Sequence, residues 1–231
     1  MKFSGISEDT LYLLSENRFN NSKAFYEEHK AQINKGAVHQ MRAIVEDLMP
    51  VLININPDFI LDPVRCVCRV RRDTRFTHDK SLYRANLWLM IRHQKNHLPT
   101  PAFWFEFNQF ELNWGVGILS TTPAFMEFFR KEIVDKKDNI ETACELLEKA
   151  SLSFDGETYK KDKAVADGIE GKYLPLLYNA RQVFFTHTED SVKLLNQPEK
   201  LIDTLSDCFK QSSMFYNLML DITTSFNSKG E

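Results

Sequence analysis

The chain has 231 residues, 43% of them hydrophobic and 26% charged, with a net charge of −3. That length supports one large core, and the acidic balance argues against a whole-surface grip on nucleic acid or anionic lipid. No window approaches the roughly 20 apolar residues that span a bilayer, and the opening MKFSGISEDT lacks the apolar run of a secretory signal. Ser7 ahead of EDTLYLLSENR reads as an N-cap followed by an acidic first turn. Asn20 and Asn21 end that helix, and Asn21 or Ser22 caps a second one carrying Phe25, Tyr26, His29 and Ile33. Gly36 reads as a turn. Val38, Met41, Val45, Leu48 and Met49 then form the apolar stripe of a third helix that ends near Pro50, with a loop bounded by Pro57 and Pro63.

The middle of the chain has the period of strands. Val64 to Arg71 alternates, with Arg65, Val67, Arg69 and Arg71 against Cys66, Cys68 and Val70. Ala85–Arg92, Ala102–Asn108 and Leu112–Leu119 alternate as well, the last two as an antiparallel hairpin. Gly115 and Gly117 leave one face of the final strand bare, a space suited to a neighbouring ring. Pro123 opens a helix through AFMEFFRKEI, and another starts near Asp138. Ala180–Thr186 is β-prone, a long helix runs from Pro198 through Leu201, Leu205, Phe209 and Met219, and SFNSKGE reads as a polar tail. The expectation is a single α+β domain over 1–231: helical over 1–56, a mainly antiparallel sheet of about four strands or more over 64–120, and helices with short strands over 121–231. The eighteen phenylalanines predict an aromatic core.

Charge is concentrated in one place. Arg65 to Arg84, RCVCRVRRDTRFTHDKSLYR, holds six arginines, a lysine and two aspartates. Guanidiniums fork onto phosphates and carboxylates alike, so the stretch is either an anion site at a strand end or a loop locked by ion pairs such as Arg75 with Asp79 or Asp73. The candidate ligand-binding residues are Arg69, Arg71, Arg72, Asp73, Arg75, Asp79, Lys80, Tyr83 and Arg84. His78 is the one histidine placed to act as an acid or base. His93 and His97 flank a polar turn and complete no metal-ligand set, and Cys66, Cys68, Cys144 and Cys208 have no CxxC spacing. They read as reduced thiols of a cytoplasmic protein. No metal or cofactor is expected, and no nucleotide-loop or nucleophile-elbow motif occurs.

The string RRDTRFTHDKSLYR resembles the signature of a family of uncharacterised bacterial proteins, RDTRFSxDKxPYK. Phe19-Asn20-Asn21-Ser22-Lys23-Ala24-Phe25-Tyr26 resembles the family's other marker, NN-x-x-x-aromatic-aromatic. The likeness covers most of the chain and implies a domain of unknown function. Leu82 stands where the family has proline and Arg84 where it has lysine. Three functions compete. The first is binding of a small anionic or phosphorylated ligand through the Arg72–Arg84 loop, with or without catalysis. The second is a structural or protein-interaction module braced by that loop. The third is nucleic-acid binding through Arg65, Arg69 and Arg71 with Trp88 and Trp104 as stacking partners, which the overall charge disfavours.

Overall fold

Two serine hydroxyls start the fold. In the computed structural model, which describes residues 2–75, 77–94, 98–160 and 169–229, Ser7 accepts the Thr10 N–H at the head of α1 (Glu8–Asn20). Ser22 does the same for Phe25 in α2 (Lys23–Ile33). Gly36 does not break the chain as expected. A π turn, Asn34–Val38, carries α2 into α3 (His39–Ile55). The glycine serves packing, because a Cβ there would lie 2.5 Å from Thr10 Oγ1. Pro50 sits inside α3 rather than near its end. It removes one helical hydrogen bond, while the flanking Leu48 and Leu52 stay buried in the core and hold the helix past it.

The sheet has five strands, β1 (Leu87–Arg92), β2 (Thr100–Phe107), β3 (Leu112–Leu119), β4 (Ser153–Phe154) and β5 (Phe184–Glu189), all antiparallel in the order β1-β2-β3-β5-β4. The predicted β2–β3 hairpin pairs Thr100 with Leu119 and Phe107 with Leu112. Alternation sends Leu87, Leu89, Ile91, Phe103, Phe105 and Phe107 to a fully buried face. Against it pack α3, α8 (Pro198–Gln211) and α9 (Ser213–Lys229). The core is aromatic as expected: the Phe103 ring lies 4.7 Å from Phe209 and 4.9 Å from Tyr216. Thr122 caps α5 (Pro123–Asp135) with Pro123 in its first turn, and α6 (Lys137–Lys149) follows. From α6 the Glu141 carboxylate accepts the backbone N–H groups of Lys172, Tyr173 and Leu174, seating α7 (Leu174–Tyr178).

Three predicted elements differ. Val64–Arg71 is not a regular strand: Asp62 caps a single helical turn, α4 (Pro63–Cys66), whose first position is a proline. That start signal overrides the alternation. Beyond it the chain touches the sheet through isolated bridges, Val67 with Leu89 and Arg71 with Tyr83. The long final helix is two, α8 and α9, parted at Ser212, whose hydroxyl donates to the Cys208 carbonyl at 2.7 Å. The expected polar tail is helical to Lys229, with the Phe226 ring 5.3 Å from that of Phe125. Phe76 and His97 lie outside the described residues.

All four cysteines are free and buried. Burial pushes the thiols of Cys66 and Cys208 up to about 11 from an ordinary 9.0. The unfolded chain therefore releases thiol protons before the folded chain does. This contribution to stability is complete below pH 9 and is lost as pH rises through about 11. Urea midpoints measured across that window should fall, and iodoacetamide at neutral pH should label the thiols only after unfolding. Phe103→Ala, which empties the stack between Phe209 and Tyr216, should cost roughly 3–5 kcal/mol in urea unfolding.

Candidate functional site

The charged loop hangs from the edge of the sheet. Residues 67–72 run antiparallel to 82–89: the Cys68 N–H donates to the Trp88 carbonyl (3.0 Å), Arg72 N–H to Leu82 (2.8 Å) and Arg84 N–H to Val70 (3.0 Å). Between these two legs the loop divides into two halves of different character.

The first half is a brace centred on Asp79. Its Oδ1 accepts from the Ser81 N–H at 2.9 Å and the Ser81 hydroxyl at 2.6 Å, and its Oδ2 from Arg18 at 2.9 Å and from Arg72. Arg72 also donates to Ser81 Oγ at 2.8 Å, and the Thr77 hydroxyl to the Asp79 carbonyl at 2.8 Å. The Ser81 donors, then Arg72 and Arg18, hold the Asp79 carboxyl well below the usual carboxylate range. The N-terminal helices close this half. Asn21, in the left-handed region at φ 49°, accepts the Leu82 N–H at 2.6 Å, and the Tyr26 ring stacks on buried Tyr83 at 4.7 Å. The two motifs that look separate in sequence therefore meet in space, through Asn21, Tyr26 and Arg18 on one side and Leu82, Tyr83 and Asp79 on the other.

The second half opens onto a cleft of about 860 Å³. Seven arginines line it: Arg65, Arg69, Arg71, Arg72, Arg75, Arg84 and Arg92, out of eleven in the whole chain. Val64, Val67, Cys68, Thr74 and the Trp88 indole complete the wall, and Asp73 supplies its carboxylate. Asp73 pairs with Arg75, 2.7 Å from Nη2 and 3.0 Å from Nε, and also accepts the Arg75 N–H. These donors hold its carboxyl at about 2, so it is ionised at neutral pH. Both side chains are more than half exposed, so the pair is a screened surface contact. Arg84 Nε donates to the Arg69 carbonyl at 3.2 Å. Among the described residues, Arg65, Arg69, Arg71 and Arg92 form no ion pair with a carboxylate.

Of the predicted site residues, the cleft gathers Arg69, Arg71, Arg72, Asp73, Arg75 and Arg84. Asp79 and Tyr83 belong to the brace, and Lys80 donates to the Thr74 carbonyl at 2.9 Å. Arg75 pairs with Asp73, not with Asp79. His78 is exposed and off the cleft wall. Arg92 and Thr74 were not foreseen. Arg92 was findable, since it falls four residues after Trp88 on one face of a strand. A second cavity, about 530 Å³ between β5 and α8, mixes Lys149, Lys193 and Lys200 with Glu189 and Asp207 beside the stacked Trp114 and His187. Among the described residues no three His, Cys, Asp or Glu side chains gather as a metal site, and no helix is long and apolar enough to cross a membrane.

Asp79→Asn removes the charge that holds Arg18 and Arg72. It should lower the melting temperature and speed amide exchange at Ser81 and Leu82. Because the Asp79 carboxyl is depressed, the brace should persist through mild acid and be lost only as pH falls well below 3.8; amide exchange followed against pH checks both.

The sequence matches the family model described as conserved hypothetical protein (DUF2461) over residues 9–217. No curated protein matches it. That span holds both motifs, the brace they build and every arginine of the cleft, and the chain belongs to the DUF2461 family.

Proposed function

We propose that the protein binds a small, multiply anionic ligand, a phosphorylated one above all, in the arginine cleft, and that it does so in the cytoplasm. The observation that carries this reading is the gathering of seven of eleven arginines around one cavity with a single carboxylate on its wall. Guanidiniums crowded together repel one another, and a bound polyanion removes that repulsion while accepting paired N–H donors. Arginine suits the task because it stays charged at every physiological pH and its planar fork matches phosphate oxygens. The four buried free thiols fit a reducing compartment.

A structural role for the whole loop is the competing reading. The Asp79 network favours it for the part of the loop around Asp79, Ser81 and Leu82, whose polar groups find partners in Arg72, Arg18 and Asn21. Arg69 and Arg71 lie outside that network, on the exposed wall of the cleft.

The test is a thermal-shift screen of pyrophosphate, sugar phosphates, nucleotides and carboxylates on the parent and on the Arg69→Gln/Arg71→Gln double variant. A ligand at about 100 times its Kd adds roughly 2.7 kcal/mol to the parent. The double variant should melt like the parent without ligand and lose about tenfold in affinity per arginine, the low end for charged hydrogen bonds at an exposed wall. A parent that shifts with no anion, together with a variant that melts early, would make the cleft arginines structural.

A further inference from the structure

The cleft does not end at its arginines. Trp88 belongs to the outward face of β1, the face opposite the core, and this face continues across the sheet in register. Trp88 stands opposite Glu106, which leads on to Asn113 and Thr188; Met90 stands opposite Trp104, which leads on to Gly115 and Thr186; Arg92 stands opposite Ala102, which leads on to Gly117 and Phe184. Trp88, Met90, Trp104 and Phe184 are half-buried, in contrast to the fully buried row beneath them. The bare strand lets the aromatics lie close. A Cβ on Gly115 would be 2.8 Å from the Trp104 ring and one on Gly117 2.4 Å from that of Phe184, and these two rings meet edge to face at 5.5 Å. Trp104 is the diagonal neighbour of Trp88, a placement with a backbone spacing of about 7–8 Å in antiparallel pairs.

We infer that the cleft and the sheet face beside it bind single-stranded nucleic acid, with phosphates on the guanidiniums, one base on the Trp88 indole and the next toward Trp104. This rests on the anion-binding reading of the cleft and extends it from a small ligand to a polymer of the same phosphate chemistry. A tryptophan among arginines selects an anion that carries a planar ring. A duplex keeps its base faces stacked on one another and cannot offer one to an indole, whereas a single strand can. A mononucleotide would engage one aromatic and one phosphate cluster, and the wall holds more: among the described residues Arg65, Arg69, Arg71 and Arg92 pair with no carboxylate, and beyond the cleft the register puts Met90 and Trp104 on the same sheet face as Trp88. The net charge of −3 is an average over the chain. At physiological salt, charges more than about 8 Å apart are largely screened, so distant acidic residues weigh little on this patch. Three carboxylates do stand close, and Asp62 is held at the head of α4, where it accepts the Val64 N–H at 2.9 Å. Asp73 is neutralised by Arg75, and Glu106 accepts from Asn86 at 2.6 Å.

The full chain should be titrated, following tryptophan fluorescence, with an oligothymidylate of about ten nucleotides, thymidine monophosphate, pyrophosphate and a duplex of the same length. The oligomer should quench and bind at least about tenfold more tightly than the other three. Its log K should fall with log salt at a slope near −0.7 per phosphate held, about −2 for three. Trp88→Leu keeps an apolar side chain without an aromatic face and should lose about fivefold or more, the low end for one stacked base, while Trp88→Phe should restore binding. If pyrophosphate binds as tightly as the oligomer, the nucleic-acid inference fails and anion binding stands. An oligomer matched by duplex, with Trp88→Leu neutral, overturns stacking as well. If no probe binds at low salt, both readings fall.

Discussion

The Asp79 carboxylate is the contact on which the charged loop and its arginine cleft depend. It draws Arg18 from α1, Arg72 from one leg of the loop and both Ser81 donors from the other to a single pair of oxygens. Without that focus, the eight residues between Arg72 and Ser81 would be an unpaired surface loop with the entropy such loops carry. With it, Arg72 and Leu82 hold register, the Arg71–Tyr83 bridge forms and the arginines on either side are presented on a fixed wall. Asn21 and Tyr26 add a polar and an aromatic latch from the helical layer. One part of the charge is thus spent inside the loop, so that the other part can be left facing solvent.

That division has an electrostatic cost, and it explains where the stability must come from. Two guanidiniums about 7 Å apart repel by roughly 2 kcal/mol at the effective dielectric of a protein surface. A cleft with seven of them is opposed by its own charge, moderated by salt, by Asp73 and by Asp79, which pairs with Arg72. The compensating free energy lies on the other side of the sheet, where Phe103, Phe209, Tyr216, Phe185 and Phe215 stack and interlock away from water. The sheet separates the two jobs by alternation alone. In β1, Leu87, Leu89 and Ile91 point to the aromatic core while Trp88, Met90 and Arg92 point the other way.

Much of this was legible in the chain, because local signals and tertiary contacts agree. Ser7, Ser22 and Pro123 mark helix starts that the helices obey, and the alternation of β2 and β3 yields their hairpin. The misreadings have local causes. At Val64–Arg71 two signals overlap, and the Asp62–Pro63 helix start wins over a period of two. Gly36 carries the mark of a turn but is small because Thr10 of another helix needs the room, a fact of packing that no local pattern carries. For the candidate site, charge density alone marks the arginine-rich segment, and the partition within it was out of reach. Asp73 and Asp79 look alike along the chain. They differ because Arg18, sixty-one residues before Asp79, reaches only one of them.

The position of the cleft at β1 raises a rival explanation that the numbers decide. β1 is an end strand of the sheet, and end strands invite pairing with other chains unless something blunts them. Charged side chains and irregular cover do that, and the segment from Val67 to Arg71, bridged to the edge at isolated points, already supplies irregular cover. One or two charges there would complete the protection. Edge protection also calls for no particular charge geometry, and lysine does it at least as well. Here the chain uses arginine at all seven cationic positions around the cavity and holds an indole among them, although lysines outnumber arginines in the sequence by eighteen to eleven. A preference for the planar fork over the point charge, confined to one concave place, is what the proposed planar, multiply charged ligand would require of this surface.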